Sequence, residues 1–297
     1  MKKALLQLHL AVFLAGFTAI LGVLIKLNEG LLVWYRLLLT VITLFFILLF
    51  KKEFSNQRIR KPKRSDILKI FGVGAIVAIH WVSFYGSVKY STVSVALVCF
   101  SATGFFTALL EPIILRRKII WIEVLLGLIA IAGIAIIFGF HPQYKVGILF
   151  GIISAMGSAL FPIFNKEFVK KFEPQMVTFY ELGGGLITLT FLVPLYLLQF
   201  PAAYYLPTTT DWIWLLVLAW FCTVLGFHLQ LSALRKISAF TANLTYNLEP
   251  VYGIVLAFVF FNEGAVLNKH FYLGLALIML AIILHMMRVR NQSIKNK

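Results

Sequence analysis

Long apolar runs separated by short polar stretches follow one another along the whole chain, each near the roughly 20 residues that a helix needs to span a bilayer. Ten segments qualify: 4–25, 31–50, 67–88, 91–115, 119–140, 146–165, 175–200, 212–234, 238–261 and 270–287. The narrowest separations are the polar pairs Lys89-Tyr90 and Arg235-Lys236. The pattern predicts an all-α membrane protein with ten transmembrane helices. Lys2 and Lys3 ahead of an apolar stretch resemble a signal peptide, but the stretch continues to Ile25, so a retained first helix is expected. The longest polar stretch, about 51–66, is basic and too short for a domain; its role is to hold orientation against anionic lipid.

The second half repeats the first. Ile42-Thr43-Leu44-Phe45-Phe46 returns as Ile187-Thr188-Leu189-Thr190-Phe191, and Tyr35-Arg36 returns as Tyr180-Glu181, a spacing of 145 residues. Asp66 and Asp211 keep that spacing, which becomes 146 further on, where Lys89 pairs with Arg235 and Ser101 with Asn247. The copies divide the chain into 1–140 and 141–297, five helices each. An odd number of spans forces the second copy to lie in the membrane upside down, the plan of many secondary transporters.

Charge tests this topology, because short cytoplasmic loops carry the Lys and Arg excess. With the N-terminus inside, 22 of the 27 basic residues fall on inner segments; Lys26, Lys89, Lys145 and Lys269 fall outside, and Arg36 lies alone within a helix. Both termini are therefore expected in the cytoplasm, with the protein in a bacterial plasma membrane. A composition 61% hydrophobic and 13% charged departs far from a soluble domain. The net charge of +16 forms no basic face and no RNA-binding motif, so nucleic acid is excluded as a partner. Membrane lipids and a small-molecule substrate are the expected partners of a monomer or homodimer.

Charges at membrane depth normally face a cavity or a partner. Arg36 is one, about two turns inside the outer end of its helix; it either snorkels to the surface or orients an anionic group such as a carboxylate. Glu181, its repeat mate, lies near the inner face and need not touch it. Glu249, in the middle of the ninth segment before Pro250, is a coupling candidate with Glu181 or a substrate contact, or else a buried structural acid. Asn243, Tyr246, Asn247 and Pro250 share one helical face that should look into the bundle. His80, Trp81, Phe84 and Tyr85 in the third segment form an aromatic stripe, read as packing or as a cavity wall, with Ser101 as a further cavity candidate.

Other features have plainer readings. Cys99 and Cys222 lack ligand spacing and behave as small hydrophobes, and the lone His228 and His285 are poor metal ligands. Gly147, Gly151, Ala155 and Ala159 recur every four residues, which permits close helix contact within the monomer. Gly183-Gly184-Gly185 serves either as a flexible point or as tight packing. No Walker loop, nucleophile elbow or paired metal motif occurs, so no enzyme activity, metal or cofactor is expected.

The two five-helix copies, Trp34-Tyr35-Arg36, the Ser91 to Leu97 opening of the fourth segment, and Leu248-Glu249-Pro250-Val251 followed by Asn262-Glu263 resemble the EamA-type family of the drug/metabolite transporter superfamily. The resemblance covers nearly the whole chain. It implies a transporter of small metabolites, amino acids included, with a central cavity lined by the third, fourth, eighth and ninth helices. Gly127 and Gly274 resemble its repeat-closing helices. Two positions depart from the family pattern: Gly104 stands where the second copy has Pro250, and Arg117 where it has Glu263, so the two gates need not be symmetric. A non-transporting receptor or scaffold that keeps the fold is the alternative.

Overall fold

A computed structural model describes residues 2–51, 61–140, 142–234, 245–246, 248–265 and 269–295. All regular elements among them are helices: α1 (Lys2–Leu24), α2 (Glu29–Phe50), α3 (Arg64–Tyr90), α4 (Val93–Phe100), α5 (Thr103–Ile114), α6 (Trp121–Phe140), α7 (Lys145–Lys171), α8 (Pro174–Gln199), α9 (Thr209–Val217), α10 (Gly226–Leu234), α11 (Glu249–Phe261) and α12 (Lys269–Lys295). Among the described residues, seven helical stretches are long and apolar enough to cross a membrane, and three shorter apolar helices, Trp121–Ile137, Glu249–Phe261 and Lys269–Leu284, accompany them. Large apolar side chains cover the outside: Leu198 is 83% exposed and Phe50 81%. Such a surface is tolerated only in hydrocarbon, where backbone groups must be satisfied within the helices.

Local chemistry sets the helix starts. Asn28 caps α2 by accepting from the Gly30 amide at 2.8 Å, and Pro174 opens α8 at a position that needs no amide donor. α3 and α9 begin with the same device. Asp66 Oδ2 accepts from the Lys63 amide at 3.2 Å, and Asp211 Oδ2 accepts from the Thr208 amide at 3.1 Å. These are repeat mates, so the 145-residue spacing has a structural counterpart in a shared cap.

The crossing of α2 and α8 carries the repeat further. Trp34 Nε1 donates to Thr190 Oγ1 at 3.0 Å, while Phe45 and Phe179 lie 6.4 Å apart between ring centroids. Adding 145 to either pair generates the other with its partners exchanged. Because residue number rises on α2 as it falls on α8, the helices are antiparallel and the contact is quasi-twofold, the arrangement of a self-complementary interface.

The structure corrects three sequence expectations. The fourth segment is not one helix. Ser101 and Ala102 separate α4 from α5, where the Ser101 hydroxyl donates to the Val98 carbonyl and that of Thr103 to Phe100, competing with the helical ladder. The eighth segment runs from α9 through an eight-residue π-helix, Leu218–Leu225, into α10. A π turn accommodates one extra residue, which accounts for the rise in repeat spacing from 145 to 146. Finally, Glu249 does not sit mid-helix: it begins α11, with Pro250 in the first turn. The earlier part of that segment, 238–244, and Asn247 lie outside the described residues.

Small residues set the close contacts. Gly147 meets Ser91 and Gly151 meets Cys99, while Ala155 and Ala159 are buried, so the small-residue stripe of α7 packs within the monomer. Gly184 lies on Phe71 and Gly185 on the Gly74 carbonyl, whereas Gly183 faces open space. Two of the three glycines thus serve tight packing. Gly274 of α12 meets Gly133 of α6, not its repeat mate Gly127, which packs on Phe105. Arg288 and Glu123 add an ion pair at 3.3 Å to the α6–α12 contact.

Candidate functional site

Arg36 is buried at 4% exposure, which removes the snorkelling alternative. Its Nε donates to Thr223 Oγ1 at 2.9 Å and its Nη1 to the Tyr85 hydroxyl at 3.0 Å. The guanidinium carbon lies 3.6 Å from the centroid of the Trp81 ring. Thr223 is presented by the π-helix: its hydroxyl donates to Leu218 O at 2.9 Å, leaving the oxygen free to accept from Arg36. Thr40 Oγ1 donates to the Arg36 carbonyl at 2.8 Å.

No carboxylate among the described residues lies within ion-pair distance of Arg36. A desolvated cation–π contact contributes about 2 kcal/mol and each hydrogen bond to a charged group about 1.5–3 kcal/mol. These terms offset a desolvation penalty of several kcal/mol per buried ion without cancelling the charge. The site is a neutral cradle around a cation.

A cavity of about 410 Å³ approaches this cradle from the end of the bundle that carries Lys51. α2 lines it with Thr40, Leu44, Ile47 and Lys51, α8 with Gln175 and Thr178, and the eighth segment with Trp220, Thr223, Val224, Leu225, Phe227 and His228. Phe227, which lines the cavity, meets Trp81, the ring under Arg36, edge-on at 6.4 Å.

The aromatic stripe of α3 splits in two. Trp81 and Tyr85 serve Arg36, but His80 and Phe84 turn toward α4 and α7. His80 Nδ1 lies 2.8 Å from the Ser154 carbonyl and 2.9 Å from its hydroxyl, and the ring stacks between Phe100 and Phe161 at 5.6 and 6.1 Å. Phe84 meets Phe100 edge-on. The stripe is therefore two faces of one buried helix, since side chains at adjacent positions point about 100° apart. Ser101 is half-buried at the α4–α5 break. Tyr246 packs with Leu8 and Ala233, away from Arg36. Asn243 and Asn247 lie outside the described residues.

Glu181 is also apart from Arg36. It is 1% exposed, and Asn165 Nδ2 donates to both of its oxygens at 2.9 and 2.8 Å. The Glu249 carbonyl borders Gly16 of α1. Among the described residues, no three His, Cys, Asp or Glu side chains gather as a metal site.

The other end of the bundle is held by a network of ties across the two copies. Asp211 Oδ1 accepts from the Lys26 amide at 2.8 Å, and Oδ2 accepts from the Tyr204 hydroxyl at 2.8 Å. Desolvation, and after it the bond to Asp211, pushes the Tyr204 phenol up to about 12. Asn28 Nδ2 donates to the Phe200 carbonyl at 3.0 Å, Tyr196 donates to the buried Glu29, and Lys89 donates to the carbonyls of Ile25 and Leu27. Glu263, from the second copy, accepts from the amides of Val93 and Ser94 at 3.0 and 2.9 Å. A carboxylate there meets two orphan donors and the positive end of the α4 dipole.

These observations define a helical integral membrane protein built from two related halves, with a buried cation beside a cavity. The EamA-like transporter family model matches residues 2–139 and again 145–287, and the chain belongs to that family. It is similar to an uncharacterized transporter of Archaeoglobus fulgidus, 23% identical over 77% of this chain and 80% of the relative. The uncharacterized transporter YetK of Bacillus subtilis is 30% identical over 60% of this chain and 56% of its own length. The uncharacterized transporter YyaM of the same organism is 23% identical over 93% of both. A crystal structure at 17% identity superposes with a TM-score of 0.64, covering 98% of this chain and 99% of that one, and shares the fold.

Proposed function

We propose that this transporter is a secondary carrier of small metabolites such as amino acids, working by alternating access. In this reading ten spans form two inverted five-helix repeats, 1–140 and 141–297. Both termini lie in the cytoplasm of a bacterial cell, and the basic end that carries Lys51 faces inward. The observation that carries the proposal is the unequal state of the two ends. The end carrying Glu29 is tied between the two copies by Asp211, Glu29 and Glu263, while the basic end holds a cavity reaching Thr223. An inverted-repeat carrier alternates between two such states by exchanging the conformations of its halves.

Glu181 is the coupling group we favour, because it is a buried acid held by one neutral amide on the inner half of α8, with Glu249 as the second candidate. The test is flux into liposomes holding the purified protein, with a broad panel of labelled amino acids and metabolites. Uptake that rises with an imposed pH gradient and collapses with a protonophore is expected. The absence of flux for the whole panel, with and without the gradient, would overturn the reading in favour of a receptor or scaffold.

A further inference from the structure

We infer that Arg36 is the binding group for the cargo, and that the cargo is a small carboxylate with an apolar body. The inference rests on the transport reading and narrows its substrate class. Three observations converge on it. The guanidinium is buried without a carboxylate partner among the described residues. Two of its five N–H donors are taken, by Thr223 and Tyr85, and one face is covered by Trp81. Thr223, which holds the Nε edge, also lines the 410 Å³ cavity.

The fit follows from that geometry. A fixed, planar cation with spare in-plane donors suits a carboxylate, which can accept two parallel hydrogen bonds. Thr223 is the polar lining residue that touches the guanidinium, and Leu44, Ile47, Val224 and Phe227 offer an apolar wall. A ligand entering from the basic end would place its charged group against Arg36 and its body against that wall. A cation is repelled. The carboxylate can belong to a zwitterionic amino acid or to a plain organic acid; the chemistry shared by both is the charged head on an apolar body.

The test measures binding rather than flux. Purified protein is titrated with phenylalanine, 3-phenylpropanoate and phenylalaninamide, followed by thermal shift and calorimetry, since a ligand that binds the native state stabilises it in proportion to occupancy. One or both of the carboxylates should bind and the amide should not. Binding of phenylalanine alone assigns the zwitterion, and binding of both assigns the carboxylate as sufficient. Arg36→Lys should weaken binding at least tenfold and Arg36→Gln should abolish it. Should Arg36→Gln fail to fold by circular dichroism and gel filtration, Thr223→Val decides: it keeps the cation and should weaken carboxylate binding severalfold.

Equal binding of the amide, unchanged affinity in a folded Arg36→Gln or Thr223→Val variant, or no binding of any of the three to the unaltered protein would overturn the inference. Its failure is distinct from that of the transport reading. Carboxylate binding without flux in liposomes overturns transport and leaves this site. Flux of a neutral or cationic solute through a folded Arg36→Gln variant does the reverse.

Discussion

The two ends of the α2–α8 crossing are built from repeat mates, yet one is closed and the other holds a cavity. At the basic end Thr40, Leu44 and Lys51 of α2 face Gln175 and Thr178 of α8 around that cavity. Their mates at the opposite end are Gly185, Leu189 and Tyr196 of α8, and Gly30 and Val33 of α2. There Gly185 rests against the Gly74 carbonyl and Ala78, and the Tyr196 ring covers Gly30. The missing side chain of Gly185 lets the α8 backbone meet that of α3, and that of Gly30 makes room for the Tyr196 ring. At the basic end the matching positions carry Thr40, Gln175 and Lys51, all of which line the cavity.

Charge reinforces the difference. Glu263 caps α4 at the closed end, but its mate at the basic end is Arg117, which has no acceptor with which to bond backbone amides. The asymmetry is therefore written into the two copies, and not only into one conformation of them.

Four changes should break or sharpen this contrast. Gly185→Thr installs the residue of its own mate where an added Cβ would come within 2.8 Å of the Gly74 carbonyl. Overpacking of this kind costs about 3 kcal/mol, so a strongly lowered unfolding midpoint is expected. Glu263→Ala strips two amides of their acceptor, a loss of about 2 kcal/mol, visible in the same melt and as new solvent access at the closed end.

Deleting one residue of the π-helix, Ala219, should restore regular α-helix and the 145-residue spacing while both flanks keep their register. Thr223 would then leave Arg36, with a loss of about 1 kcal/mol from that hydrogen bond and weaker carboxylate binding by calorimetry. Gly183→Ala, beside two glycines that cannot be altered freely, meets nothing within 4 Å. It should leave the midpoint unchanged or raise it by up to about 1 kcal/mol from helix propensity alone.

Much of the architecture was legible in the sequence because hydropathy, basic residues and a repeat are all one-dimensional signals. The apolar runs located the helices, and the shared spacing of Asp66 and Asp211 marked two equivalent caps. The break at Ser101-Ala102 was hidden, since hydroxyl bonds to carbonyls three residues back leave no trace in hydropathy. The π-helix left one trace, the step from 145 to 146, which acquires meaning only when the extra residue is seen accommodated. For the site, Arg36, Trp81 and Tyr85 came from the sequence as separate candidates. Thr223 did not, because it meets Arg36 across 187 positions of chain and carries no motif. The ties between 25–29 and 200–211 were missed for the same reason: each joins two loops that look ordinary alone.

Leu44 and Leu189 are repeat mates, buried at 4% and 3%, one beside the cavity and one at the closed end. With Cys99 and Cys222 replaced by alanine, a single cysteine at either position can be challenged with a membrane-impermeant thiol reagent from each side of oriented vesicles. Leu44→Cys should react from the cytoplasmic side, and Leu189→Cys should stay unreactive until Glu263→Ala is added, when it should react from the outside. Equal labelling of the two positions in the unlatched and latched proteins, or labelling of neither, would contradict this.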